Sequence, residues 1–179
     1  MTHALETPKR TSPWLYVLLV VVWFALDFAL KQWSLASLVG GELRPFIAGV
    51  ISLTLTFNPG AAWGLFSGSS LPLAVFRIVV GVAMLAYLFR ARPKPVVSVA
   101  LSLICAGALG NGIDSFVDGK VTDMLYSHQL SAVTNVLSRT SFPIFNLADV
   151  WVVSGVILIF LASFGRRGSA ARAEKSVQP

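Results

Sequence analysis

Four long apolar stretches constrain the fold of this chain more than any other feature of its sequence. Each approaches the length of about 20 residues that a helix needs to cross a bilayer. Only 12% of the residues are charged, roughly half the fraction found in an ordinary soluble domain. The sequence therefore predicts an all-α membrane protein, a single embedded domain over residues 1–165, with transmembrane helices at about 14–33, 71–89, 96–114 and 144–164.

The basic residues indicate how these helices are oriented. Two lie near the N-terminus, three in the 90–95 loop and four in the tail 166–179, so these places hold nine of the fourteen Lys and Arg residues. Because cytoplasmic loops of membrane proteins are enriched in Lys and Arg, we predict that both termini and the basic tail are cytoplasmic. Topology thus explains the positive charge, and we expect membrane lipids rather than nucleic acid as partners.

The segment between the first two spans has a different pattern. Residues 51–57 alternate apolar and polar side chains, which is typical of a half-buried strand, and residues 58–60 (Asn-Pro-Gly) predict a turn. Because an open sheet edge cannot face lipid, we predict a small extracytoplasmic β-sheet between helices 1 and 2, at the membrane surface. Residues 115–142 are predicted to form a polar loop on the same side.

Charged residues also interrupt the spans themselves. Asp27 and Lys31 are four residues apart with the acid first, which favours an ion pair on one helix face. Because they break the apolar run, we predict a retained helix rather than a cleaved signal peptide. Arg77 lies near the start of the second span and is expected to extend to the membrane interface.

The polar positions converge on one membrane boundary. With a rise of about 1.5 Å per residue, Asp27 lies about 20 Å along the first helix, in its outer half. Asp149 lies roughly 8 Å inside the outer end of the fourth helix, and Asp114 is predicted to end the third. Asn58 and Gly60 lie just before the second span. Because polar groups at membrane depth are costly, each is a candidate functional residue.

Helical spacing then predicts which of these side chains meet. Asn111 and Asp114 share one side of the third helix, and Asn146 and Asp149 share one face of the fourth. If Asn146 and Asp149 face the interior of the bundle, they would meet Asp123. Two carboxylates held close in a poorly hydrated site share one proton, and such a pair can act as base and acid without a metal. From these residues alone, a polar clamp between helices is the alternative.

Three motifs resemble those of one enzyme family. They are Phe-Asn-Pro-Gly-Ala-Ala-Trp-Gly at 57–64, Gly-Ala-Leu-Gly-Asn-Gly-Ile-Asp with Gly-Lys-Val-Thr-Asp within 107–123, and Phe-Asn-Leu-Ala-Asp at 145–149. With Asp27 and Lys31 before them, the chain resembles lipoprotein signal peptidase (signal peptidase II) over nearly its whole length. The resemblance implies a bacterial inner-membrane aspartic endopeptidase that cleaves prolipoproteins before a diacylglyceryl-modified cysteine and is inhibited by globomycin.

The resemblance also implies roles for individual residues. It makes Asp123 and Asp149 the catalytic pair, near the outer face of the membrane. For Asp27 and Lys31 it leaves a structural or a substrate-binding role open. We expect a monomer without metal or cofactor. The substrate-binding residues implied by the resemblance and the spacing are Asn58, Gly60, Asn111, Asp114 and Asn146.

One position departs from the family pattern. The family usually has arginine directly after the aspartate at position 114, whereas this chain has Ser115. We hypothesise that Lys120 or Arg139, in the same outer loop, supplies the missing charge. An inactive relative or one of altered specificity is therefore an open alternative.

Two other functional classes also remain open at this point. Asp114, Asp118 and Asp123 would suit Mg²⁺ in a lipid phosphotransferase, because that ion prefers oxygen ligands. The longer Asp-rich signature of those enzymes, with its internal Ala-Arg pair, is missing from this sequence. A small transporter would also use intramembrane acids, but the sequence shows no internal repeat of the kind that many transporters have.

Overall fold

The computed structural model describes residues 12–59 and 70–175, and over 165–175 it gives only the helical backbone. Among the described residues, four helices are long and apolar enough to cross a membrane. This confirms the predicted fold class of four apolar helices with a small sheet. In chain order the elements are α1 (Pro13–Ser37), β1 (Arg44–Ile47), β2 (Ile51–Asn58), α2 (Ser70–Ala91), α3 (Pro95–Asp118), β3 (Val121–Ser127), α4 (His128–Ser138) and α5 (Leu147–Lys175).

α3 is longer than predicted. It runs through Asp114, the predicted last residue, and ends at Asp118. Gly119 follows with φ 69°, a left-handed conformation that suits glycine directly after a helix. The first polar residues of the predicted loop therefore belong to the helix, and Asp114 lies within its last turns.

α5 starts later than predicted and continues further. It begins at Leu147 rather than 144 because Asn146 and Asp149 cap it. The Asp149 N–H donates to Asn146 Oδ1 at 3.0 Å, and the Asn146 N–H donates to Asp149 Oδ2 at 3.1 Å, a reciprocal capping box. At its other end the helix reaches Lys175, because the Ala, Arg, Glu and Lys residues after 165 are good helix formers.

The small sheet has three antiparallel strands in the order β1-β2-β3. β2 confirms the strand predicted at 51–57. The prediction that the sheet lies wholly between helices 1 and 2 is wrong, because β3 and α4 occupy the segment 115–142 that was predicted as a loop. Residues 121–124 are buried at four successive positions, so this strand lacks the alternation by which a half-buried strand is recognised.

α3 is the central helix of the bundle. In its apolar window 67% of the residues are buried, against 17%, 17% and 11% for the other three spans. Glycines let neighbouring helices approach it closely. A Cβ atom at Gly107 would collide with the carbonyl oxygen of Ala148 on α5, and close approach at small residues is typical of membrane helices. α3 therefore fixes the distance between the polar side chains that it shares with α5.

Candidate active site

Two asparagines connect two carboxylates at the start of α5. Asn146 is fully buried, and its Nδ2 donates to Asp123 Oδ1 at 2.7 Å and to Asn111 Oδ1 at 2.9 Å. Asn111 Nδ2 in turn donates to Asp149 Oδ1 at 2.8 Å. Because the Asn146 N–H already occupies the other oxygen of Asp149, both oxygens of this carboxylate accept N–H donors. The structure thus brings these four predicted residues together in one hydrogen-bonded cluster.

Asp123 reaches this cluster from the sheet. Asp123 on β3 is the strand partner of Thr56 on β2. Asn58, at the end of β2, forms a hydrogen bond with the Asp123 side chain. β3 is also tied to the segment before α5, because the Leu125 N–H donates to the Phe145 carbonyl at 2.8 Å and the Phe145 N–H donates back at 3.0 Å. Strand pairing, rather than a flexible loop, therefore carries Asp123 to the start of α5.

A buried lysine contacts this cluster through Asn111 and pairs with two further aspartates. Lys31 Nζ donates to Asn111 Oδ1 at 3.0 Å and forms ion pairs with Asp27 and Asp114, each at 2.8 Å. The predicted pairing of Asp27 with Lys31 is confirmed. Asp27 also accepts the Ala148 N–H at 2.8 Å, so it joins α1 to α5. Since Asn111 Oδ1 accepts from Lys31, its amide nitrogen is directed to the catalytic candidate on α5.

Asp114 is not part of the cavity that holds the two candidate catalytic acids. Its carboxylate forms an ion pair with Lys31. Asp114 lines a second cavity of about 240 Å³ with Asp27 and Asp118. The substrate-binding role predicted for Asp114 therefore stays a prediction, and its observed contact is with the supporting lysine. Gly60 and the rest of its motif through residue 64 lie outside the described residues.

The candidate acids open onto a cavity of about 210 Å³ between the sheet and the helices. One wall is polar, and the segment before α5 supplies an apolar wall. Such a combination is typical of a site that binds an apolar chain and orients it by a few polar groups. The lining residues are Asn58, Arg77, Asn111, Val121, Asp123, Phe142, Pro143, Ile144, Phe145 and Asp149.

The environment of Asp123 favours its protonated form. The pKa of Asp123 is raised to about 7, mainly by burial and also by the negative charge of Asp149 nearby. Hydrogen bonds from Asn58 and Asn146 and the charge of Lys31 oppose the rise. Two carboxylates on one cavity titrate as a unit rather than independently. A raised pKa therefore lets Asp123 hold a proton close to neutral pH, as a shared-proton pair requires.

The hypothesis that Lys120 or Arg139 supplies the charge missing at Ser115 stays a prediction, and the positions of the two residues do not favour it. Lys120 Nζ lies 3.7 Å from the centroid of the Phe57 ring, Arg139 is the C-cap residue that follows α4, and neither residue lines the cavity. The cationic side chain that contacts Ser115 is that of Arg77. Its Nη1 donates to Ser115 Oγ at 3.1 Å.

Arg77 is the site residue that sequence reasoning missed. It was expected to extend to the membrane interface, but the structure directs it into the cavity of the two acids. The sequence does indicate a role for this residue, because Arg77 is the single charged residue in the predicted span 71–89. An ionisable side chain inside a membrane span is by default a candidate functional residue.

The chain is similar to known proteins over most of its length. A lipoprotein signal peptidase of Deinococcus radiodurans is 50% identical over 157 residues, which cover 87% of this chain and 82% of the relative. A lipoprotein signal peptidase of Enterococcus faecalis is 39% identical over 80% of this chain and 88% of its own length. A bacterial membrane enzyme solved at 2.3 Å by the in meso method has a TM-score of 0.77 and 28% identity, over 92% of this chain and 96% of that chain.

A second bacterial membrane enzyme, solved at 1.9 Å, has a TM-score of 0.72 at 30% identity. The pattern of the family described as signal peptidase (SPase) II matches residues 19–165. That match covers most of the chain and reaches all four described helices that are long and apolar enough to cross a membrane. The chain is therefore a multi-pass membrane protein that belongs to the signal peptidase II family of peptidases.

Proposed function

We propose that this protein is an aspartic endopeptidase that removes signal peptides from prolipoproteins, cutting before a cysteine that carries diacylglyceryl. The observation that carries the proposal is the pair Asp123 and Asp149, held on one cavity by Asn111 and Asn146. Relatives named lipoprotein signal peptidase support the choice of substrate.

The shared proton gives each acid a different task. Asp149 accepts N–H donors at both oxygens and lies in the first turn of α5, where the helix dipole also favours negative charge. It takes a proton from the water that attacks the scissile carbonyl carbon, while Asp123 gives its proton to the carbonyl oxygen. When the tetrahedral intermediate collapses, the C–N bond breaks, Asp149 protonates the leaving amine and Asp123 regains its proton from the hydroxyl.

The position of the cavity fits a substrate that arrives from the membrane. The cavity lies at the start of α2 and α5 and the end of α3, on the membrane side opposite the basic 90–95 loop. With basic segments in the cytoplasm, the active site faces the outer surface of the bacterial inner membrane, and residues 166–179 form the cytoplasmic end of the chain. Exposed apolar residues on β1 and α4 suit contact with lipid, among them Phe46, Ile47, Val136 and Leu137.

The proposal is tested by cleavage of a defined substrate. The purified protein in detergent is incubated with a diacylglyceryl-modified prolipoprotein, or with the same chain unmodified, and product masses locate the broken bond. We expect cleavage before the modified cysteine only, inhibition by globomycin and no effect of EDTA. Cleavage elsewhere, or equal cleavage of the unmodified chain, would contradict the proposed specificity.

The EDTA arm also tests the lipid phosphotransferase alternative. The three aspartates that would bind Mg²⁺ do not converge on one point. Asp114 forms an ion pair with Lys31, Asp118 is exposed, and Asp123 belongs to strand β3. Among the described residues, no group of three or more His, Cys, Asp and Glu side chains is arranged to hold a metal ion. The geometry therefore favours acid–base chemistry by the carboxylate pair.

A further inference from the structure

Arg77 enters the site from α2 through a short hydrogen-bonded chain. Its Nη1 donates to Ser115 Oγ at 3.1 Å, and Ser115 Oγ donates to the Asn111 carbonyl at 2.9 Å. Asn111 is the residue whose side chain donates to Asp149. The guanidinium is therefore anchored to the same turn of α3 that orients the base.

Small residues on α3 make room for this arginine. A Cβ atom at Gly112 would lie 3.2 Å from the Arg77 Cβ and 2.9 Å from Ile78 Cγ1, so any larger residue there would push α2 away. Ser115 is buried, and its short side chain leaves space for the guanidinium while offering it an acceptor. An arginine at position 115 would reach the same space from α3, and it would compete with Arg77.

The charges around Asp149 come from several elements. Lys31 on α1, Arg77 on α2 and Asp123 on β3 all act on it electrostatically. α3 faces it with the uncharged Asn111. Lys31 is almost fully buried, with two carboxylates and an amide oxygen around it. Among the described residues that line the cavity, Arg77 is therefore the cation.

We propose that Arg77 is a positioning residue for the carboxylate pair: its guanidinium, fixed by Ser115, holds Asp149 in the ionised form that activates water. This inference rests on the proposed function. It also explains how the chain operates with serine at position 115, because the charge reaches the site from a different helix. Arg77 also lines the cavity that the substrate enters.

The test uses the full-length protein and the modified prolipoprotein. We would measure kcat, KM and the pH dependence of kcat/KM for Arg77→Gln, Arg77→Lys and the double variant R77Q/S115R. Arg90→Gln is the matched control, because Arg90 is exposed in the last turn of the same helix. Thermal unfolding of each variant reports whether the fold is retained, and Asp123→Asn reports whether cleavage depends on the proposed acid.

We expect Arg77→Gln to lower kcat/KM by roughly 10- to 100-fold, as for the loss of a charge-assisted interaction. The acidic limb of the kcat/KM pH profile of this variant should move to higher pH by about 1 unit, because removal of a positive charge disfavours the ionised carboxylate. Arg77→Lys should recover part of the rate, R77Q/S115R should recover most of it with the original pH profile, and Arg90→Gln should match the wild type.

An Arg77→Gln variant with unchanged rate and pH profile would overturn the inference. So would a loss of rate that follows a loss of thermal stability and is not recovered by arginine at position 115, since this would show a packing role only. Failure of the proposed function looks different. In that case the wild type would not cleave the substrate, or Asp123→Asn would cleave it normally.

Discussion

Replacement of Asp123 by asparagine is expected to stabilise the folded protein at alkaline pH, even though it removes a proposed catalytic acid. Burial raises the pKa of Asp123 from 3.8 to about 7. Between these values the folded protein binds more protons than the unfolded chain, so its stability falls as pH rises and levels off above about pH 7. At about 1.4 kcal/mol per pKa unit, the upper limit of this loss is about 4 kcal/mol.

Asparagine avoids this loss and keeps the local contacts. Its side-chain oxygen can accept the hydrogen bond that Asn146 Nδ2 gives to Asp123 Oδ1 at 2.7 Å. Because the value of about 4 kcal/mol is an upper limit, we expect a gain of about 1 to 2 kcal/mol at pH 8 and almost none at pH 4.

The assay is unfolding of the purified protein in one detergent, followed by tryptophan fluorescence at pH 4 and pH 8. Asp118→Asn is the matched control, since Asp118 is exposed and its replacement should give no gain that depends on pH. An equal gain from Asp123→Asn at both pH values would refute the reasoning, because it would show that the charge of the carboxylate is not its cause. No gain at pH 8 would refute it as well.

Three further substitutions test the supporting structure. Asn146→Ala should destabilise the protein by about 1 kcal/mol through loss of the helix cap and lower kcat/KM by roughly 100-fold; a normal cleavage rate would show that its amide does not hold the acids. Lys31→Met should cost about 3 to 5 kcal/mol in unfolding experiments because it leaves buried Asp27 unpaired, and adding Asp27→Asn should recover part of it; equal stability of the two variants would contradict this. Gly107→Val should lower the unfolding temperature by forcing α3 away from α5, and an unchanged temperature would show that these helices can separate freely.

The sequence predicted the helical part of the site well because helix periodicity is a local property. Helical spacing predicted that Asn111 lies on the polar side of α3 and that Asn146 and Asp149 share one face of the fourth span. The structure connects these side chains by hydrogen bonds. The start of α5 was misplaced because apolar residues at 144 and 145 extend the hydrophobic run. The Asn-x-x-Asp spacing at 146–149, which resembles a capping box, was the better indicator of this helix start.

The remaining features depend on tertiary contacts that no single segment encodes. The strand that carries Asp123 is buried on both faces, so it shows no alternation. The direction of Arg77 depends on the close approach of α2 to Gly112 and on the acceptor at Ser115. Asp114 was predicted to contact substrate, and its ion pair with Lys31 on another helix was not foreseen from sequence spacing.

The proposed mechanism requires that Asp123 and Asp149 act together as the catalytic pair. The most direct measurement is the single-turnover cleavage rate of modified prolipoprotein by Asp123→Asn and Asp149→Asn, with unfolding curves to show that both variants are folded. We expect each replacement alone to lower the rate by about a thousandfold or more, because the loss of either member disables a pair that acts as a unit. A folded variant of either residue that cleaves within about tenfold of the wild-type rate would contradict it.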